Sequence, residues 1–200
     1  MSAKNSTMTY NSNALLDSLT ADVREIILAS EKLQKLPASL LAQPPAPGKW
    51  SIAQVLAHLN FYARQYMEAI EKKLHLHQTK PAIAFHPGWF GNYFTNLMKP
   101  GAGNSISKKM KSPKNAEPEQ QPDAAKELQV FLMHQHHLLN LLQVAKSADL
   151  QAMRIPTTLT KLIRLRLGDT FRFLIAHEQR HLVQIENTLS HLQVRHTVAA

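Results

Sequence analysis

His177 and His181 stand four residues apart in the run Phe173-Leu174-Ile175-Ala176-His177-Glu178-Gln179-Arg180-His181-Leu182-Val183-Gln184-Ile185. Apolar residues recur along this run at helical spacing, and no proline or glycine interrupts it after Gly168. On an α-helix the two imidazoles lie one turn apart on one face, where they can grip a single metal ion. The letters also spell H-E-x-x-H, the pattern of a helical metalloprotease site, with Glu178 as the carboxylate beside a ligand. A chain with 11 histidines among 200 residues can equally carry such a pair as polar residues on the flank of a bundle helix. A third ligand would separate these readings.

The protease pattern lacks its context. One such class needs a histidine six residues beyond His181, where Asn187 stands. Another needs a glutamate about 20 residues further on, a position beyond Ala200, and Glu186 is too near. Glu178 remains the best-placed carboxylate for general-base work; its structural alternative is a surface residue paired with Arg180 or Arg172. Without cysteine, thiolate ligation, a cysteine nucleophile and disulfides are excluded, leaving histidine and carboxylate as ligands.

The elements that must position these residues follow from periodicity. Asn13 to Leu36 is expected as a first helix, with Leu16, Leu19, Val23, Ile26, Ile27 and Leu33 as its apolar stripe. Ser51 is placed to cap a second helix that continues to about Leu74, on which His58 lies beside the stripe Ile52, Val55, Leu56, Leu59, Ala63, Met67 and Ile70. Asp123 to Ala145 reads as a third helix, and Gly168 or Asp169 to about Gln193 as a fourth, with the tail beyond expected to fray. The third helix carries His134, His136 and His137; His134 and His137 could face inward, and at least two of the three are expected on the polar flank. With no evident strand pattern, the expected architecture is all-α: one domain over residues 1–200, a four-helix bundle with a long insertion between the second and third helices. The connections are too long for strict up-down-up-down order to be assumed.

That insertion, about 75–122, is rich in proline and glycine. Inside it, Trp89 to Met98 is expected as a short aromatic helix, either a plug against the bundle or a pocket wall. The Lys99–Pro122 part has few apolar groups to offset the entropy of ordering and is expected to move relative to the bundle. The net charge of +9 sits partly there, in Lys99 to Lys114, and partly in Lys161, Arg164 and Arg166. Lacking a helix-turn-helix, zinc-finger or RNA-recognition signature, this charge reads as a solvated basic loop rather than a nucleic-acid surface. No run approaches the roughly 18 apolar residues of a membrane span, and the N-terminus lacks the apolar core of a signal peptide, so a cytoplasmic protein is expected.

Two segments, taken in order, carry a resemblance. Trp50-Ser51 followed by Gln54-Val55-Leu56-Ala57-His58-Leu59, and the late His177-x-x-x-His181-x-x-Gln184-Ile185 helix, resemble the DinB-like (DinB/YfiT) metalloprotein superfamily. The resemblance implies a four-helix bundle with a divalent metal held by His58, His177 and His181. It implies small-molecule chemistry, by transfer or isomerisation with a low-molecular-weight thiol or by hydrolysis, and often a homodimer. The alternative is a metal- or ligand-binding bundle without catalysis. Three imidazoles accept zinc, nickel, iron or manganese, with zinc and nickel foremost. Gln54, Tyr62, Thr170 and Gln184, one or two turns from a ligand on its own helix, are the candidates to support the site.

Overall fold

The computed structural model describes residues 8–76, 79–101, 103, 105–106, 110–158 and 162–198, with side chains described as far as Val194. Its helices are α1 (Ser12–Leu33), α2 (Ala38–Ala42), α3 (Ile52–Leu76), α4 (Trp89–Met98), α5 (Ala124–Ala145) and α6 (Leu167–Val198). The four long ones, α1, α3, α5 and α6, form a four-helix bundle. Three of them, α1, α3 and α5, begin at a side-chain cap. Asn11 accepts the Ala14 N–H at the start of α1, and Asp123 accepts the Ala125 and Lys126 N–H groups at the start of α5. Ser51 and Gln54 form a reciprocal box at the start of α3: Ser51 Oγ accepts from the Gln54 amide at 3.2 Å, and Gln54 Oε1 accepts from the Ser51 amide at 3.0 Å. Backbone donors with no partner inside the helix are thereby satisfied.

Packing sets an order around the bundle that differs from the order along the chain. α5 lies between α1 and α3, and α6 lies between them on the other side. The chain therefore crosses a diagonal from α1 to α3 and again from α5 to α6. The 18 residues between Leu33 and Ile52 and the 21 between Ala145 and Leu167 provide the reach. The first crossing contains the short helix α2, which periodicity did not reveal. The second contains an antiparallel hairpin, β3 (Arg154–Pro156) with β4 (Arg164–Arg166), which leads directly into α6. A second antiparallel pair joins β1 (Tyr10–Asn11) to β2 (Ala84–Phe85). The fourth helix starts one residue before the expected Gly168 and continues to Val198.

The expected stripes of α1 and α3 are buried throughout, from Leu16 and Val23 to Leu56 and Ile70. On α5, Leu128, Phe131, Leu138, Leu141 and Leu142 are buried, while Leu132 and Leu139 are half-buried. α4 docks on α6 through Gly91, Thr95 and Met98, and leaves Trp89, Phe90 and Tyr93 exposed, so its aromatic residues are only in part a plug. A side chain at Gly91 would collide with Asp169, and one at Gly168 would bring its Cβ to 2.7 Å from Phe85 Cζ, so both positions require glycine for close approach.

Lys99–Pro122 is not simply a solvated loop. Lys114–Ala116 form a 3₁₀ turn that packs on α3, with Ala116 buried, and the Gln54 side chain donates to the Glu119 carbonyl at 3.2 Å. Lys108, Lys109 and Lys161, part of the predicted basic surface, lie outside the described residues. Arg166 is not a free surface cation, since its guanidinium donates to the His86 carbonyl and to Gln151. Among the described residues no helix is long and apolar enough to cross a membrane.

Candidate metal centre

α3 and α6 are neighbours in the bundle, and their facing stripes bring His58 to His177 and His181. One ring nitrogen from each of the three lies within 4.8 Å of the other two. The His177 and His181 Nε2 atoms are 3.1 Å apart. Tetrahedral ligand nitrogens at about 2.0–2.1 Å from zinc stand about 3.3 Å from one another, so this separation suits one shared ion. Ring centroids are 4.8 Å apart for His58 and His181, 5.3 Å for His58 and His177, and 4.6 Å for His177 and His181.

The outer nitrogens decide which lone pairs face inward. The His58 Nδ1–H donates to the Ala116 carbonyl at 2.9 Å, and the His181 Nδ1–H donates to Gln184 Oε1 at 2.9 Å. Each bond holds the ring in the tautomer whose Nε2 carries a lone pair for a metal. His177 Nδ1 is buried and has no partner among the described residues; its ring is held instead by stacking on Phe173, 6.1 Å away at 6°, and by the Tyr62 ring at 4.8 Å. Trp50 and Tyr62 both lie 5.0 Å from the His58 ring, one on each side in sequence.

His58 and His177 are buried and His181 is half-buried. Burial depresses all three, because an imidazolium out of water is costly. His58 is lowered by desolvation, opposed by its bond to Ala116. His177 is held well below the ordinary histidine value by desolvation, then by His181, His58 and Arg180. His181 is pushed down to about 3 by desolvation, then by His58. Neutral imidazoles are the metal-binding form, so the donor set fits a divalent ion.

Glu178 lies apart from the three histidines. It is neither a surface partner of arginine nor a member of the histidine group, because one residue along the helix turns its side chain about 100° from that of His177. The carboxyl is fully buried, its Oε1 accepts from Gln135 of α5 at 3.1 Å, and Oε2 has no partner among the described residues. Burial pushes it up to about 8, with Gln135 pulling the other way, so it is protonated at neutral pH, and its bond to Gln135 turns it across the bundle rather than toward the three histidines.

Of the four supporting candidates, Gln184 orients His181 and Tyr62 packs against His58 and His177. Gln54 instead belongs to the α3 box and the Glu119 tether, and Thr170 Oγ1 donates to the Arg166 carbonyl. The third-helix histidines stay outside the group: His134 bonds Asn60, His137 faces Glu71 and His136 is exposed. Sequence reasoning missed Ala116, because a backbone carbonyl from a distant loop leaves no signature in residue type.

A family model described as the DinB superfamily matches residues 23–185. The chain belongs to the DinB superfamily. YfiT from Bacillus subtilis, described as a probable metal-dependent hydrolase with an unusual four-helix bundle topology, is similar in structure. The TM-score is 0.52 at 17 % identity, covering 86 % of this chain and 85 % of YfiT, a likeness that establishes the shared fold. No curated protein matches the chain in sequence.

Proposed function

We propose that this DinB-superfamily chain is a metal-dependent enzyme that acts on a small molecule, with His58, His177 and His181 as ligands to one divalent ion. The observation that carries this reading is the convergence of three neutral imidazoles, two of them oriented by bonds to their outer nitrogens. The description of YfiT as a metal-dependent hydrolase supports hydrolysis as the reaction class, with transfer of a small thiol as the other chemistry compatible with an open ligand position. A divalent ion held by three imidazoles supplies Lewis acidity, lowering the pKa of water to about 7 or holding a thiol as thiolate. The chain's own part is to fix the lone pairs, keep the imidazoles neutral and exclude water from the His58 and His177 side of the group.

Elemental analysis of tag-free protein tests the ligand set. Wild type should carry about one ion per chain, and each alanine variant at the three positions far less; equal metal in all four proteins would sink the reading. A panel of small esters, amides and thiol acceptors tests catalysis. Full metal occupancy with no turnover on any of them would favour a non-catalytic metal-binding bundle. One feature favours that second reading: the nearest carboxyl in sequence, Glu178, is turned away from the group.

A further inference from the structure

His177, His181, Gln184, Thr188 and His191 follow one another at spacings of four, three, four and three residues. At 100° per residue they form a single stripe along α6. The first two belong to the histidine group. The last three, together with Lys49 and Trp50 just ahead of α3, line a cavity of about 370 Å³. Two residues belong to both places: Gln184 orients His181 while lining the cavity, and Trp50 packs on His58 while forming the cavity wall. His181 is the half-buried member of the group, and Gln184, which holds its outer nitrogen, lines this cavity.

The lining has a definite chemistry. Trp50 offers a flat apolar face, and Gln184, Asn187 and Thr188 offer neutral polar groups. Among the described lining residues Lys49 is the one fixed charge and none is a carboxylate, and the chain as a whole carries +9. From His181 to His191 the stripe advances about 15 Å at 1.5 Å per residue, which suits an extended molecule rather than a compact one.

We infer that this cavity binds a small anionic molecule, with its apolar body against Trp50, its charged end against Lys49 and His191, and its other end at the three histidines. The inference rests on the proposed metal centre for the identity of the reacting end. The charge preference itself requires no metal and can be measured without it.

The test uses the full chain with Trp89→Phe, which leaves Trp50 as the single tryptophan, stripped of metal with a chelator. Three probes of one shape are titrated against Trp50 fluorescence: 4-phenylbutyrate, 4-phenylbutanol and 4-phenylbutylamine. The anion should bind about five- to tenfold more tightly than the alcohol, with the amine weakest, and added salt should erode the difference. Lys49→Glu, a change at an exposed position, should reverse the order of anion and amine without altering the circular dichroism spectrum. Equal affinities, no saturable quenching, or an unchanged order in Lys49→Glu would overturn the inference. Metal titration of the same preparation separates the two readings. A wild type that prefers the anion yet binds no zinc or nickel keeps the cavity and loses the metal centre, and the converse result does the opposite.

Discussion

Two clusters of ionisable groups draw residues from α6 little more than one turn apart, the second completed by His58 of α3, and they differ in how their hydrogen bonds close. At the start of α6, Asp169 and Arg172 form a buried ion pair at 3.1 Å. The Gly88 amide donates to Asp169 at 2.7 Å, and Arg172 donates to Tyr10 at 3.2 Å and to Asn92 at 3.1 Å. That cluster pins β1, the segment ahead of α4 and α4 itself to α6. Opposite charges face each other and most of their bonding capacity is used within the protein. The histidine cluster turns three like groups toward a common point and supports them from outside. In the first cluster the protein completes its own interactions; in the second it leaves lone pairs for something else.

Substitution should expose this difference. The largest effect expected is on metal binding: His58→Ala, His177→Ala or His181→Ala should abolish stable occupancy, because two ligands remain, whereas His134→Ala should leave it intact. Chelation should then lower the melting temperature of wild type but barely that of His58→Ala. In the other cluster, Asp169→Ala strands a buried guanidinium and should cost about 3–5 kcal/mol in urea unfolding. The folded fraction should still bind metal with wild-type affinity; a loss of affinity equal to that of His58→Ala would erase the distinction between the clusters.

Smaller effects sharpen it. Gln184→Leu should weaken metal binding by about 10–100-fold through loss of the bond that orients His181. In competition with a chromophoric chelator, wild-type affinity would show that the Gln184 contact is incidental. Glu178→Gln should leave metal occupancy unchanged and alter only the pH dependence of stability. The wild-type carboxyl holds its proton in the folded state up to about 8, against an ordinary value of 4.5. Between those values the folded state binds more protons than the unfolded state, so this group makes stability fall as pH rises, with the loss complete above about 8. Urea midpoints from pH 5 to 9 should therefore decline more steeply for wild type than for Glu178→Gln. Parallel curves would show that Glu178 ionises normally.

The bundle was legible in the sequence because burial of an amphipathic helix imposes a period that residue type alone reveals. Leu16 to Leu33 and Ile52 to Ile70 marked their buried faces without reference to any partner. The i,i+4 pair His177 and His181 was legible for the same reason, since one helix fixes their relation, and the resemblance to the DinB superfamily added His58. The start of α3 was readable at Ser51 because capping is a local bond. Order around the bundle was not local: the two diagonal crossings depend on which stripes meet, and periodicity says nothing about that choice. Nor could residue type show that Ala116 would lend its carbonyl to His58, since every residue has one and only the path of the loop selects it. Glu178 shows the converse. Its position beside a ligand suggested a base, but adjacency in sequence on a helix means a different face, and the tertiary packing of α5 turned that face into the bundle interior.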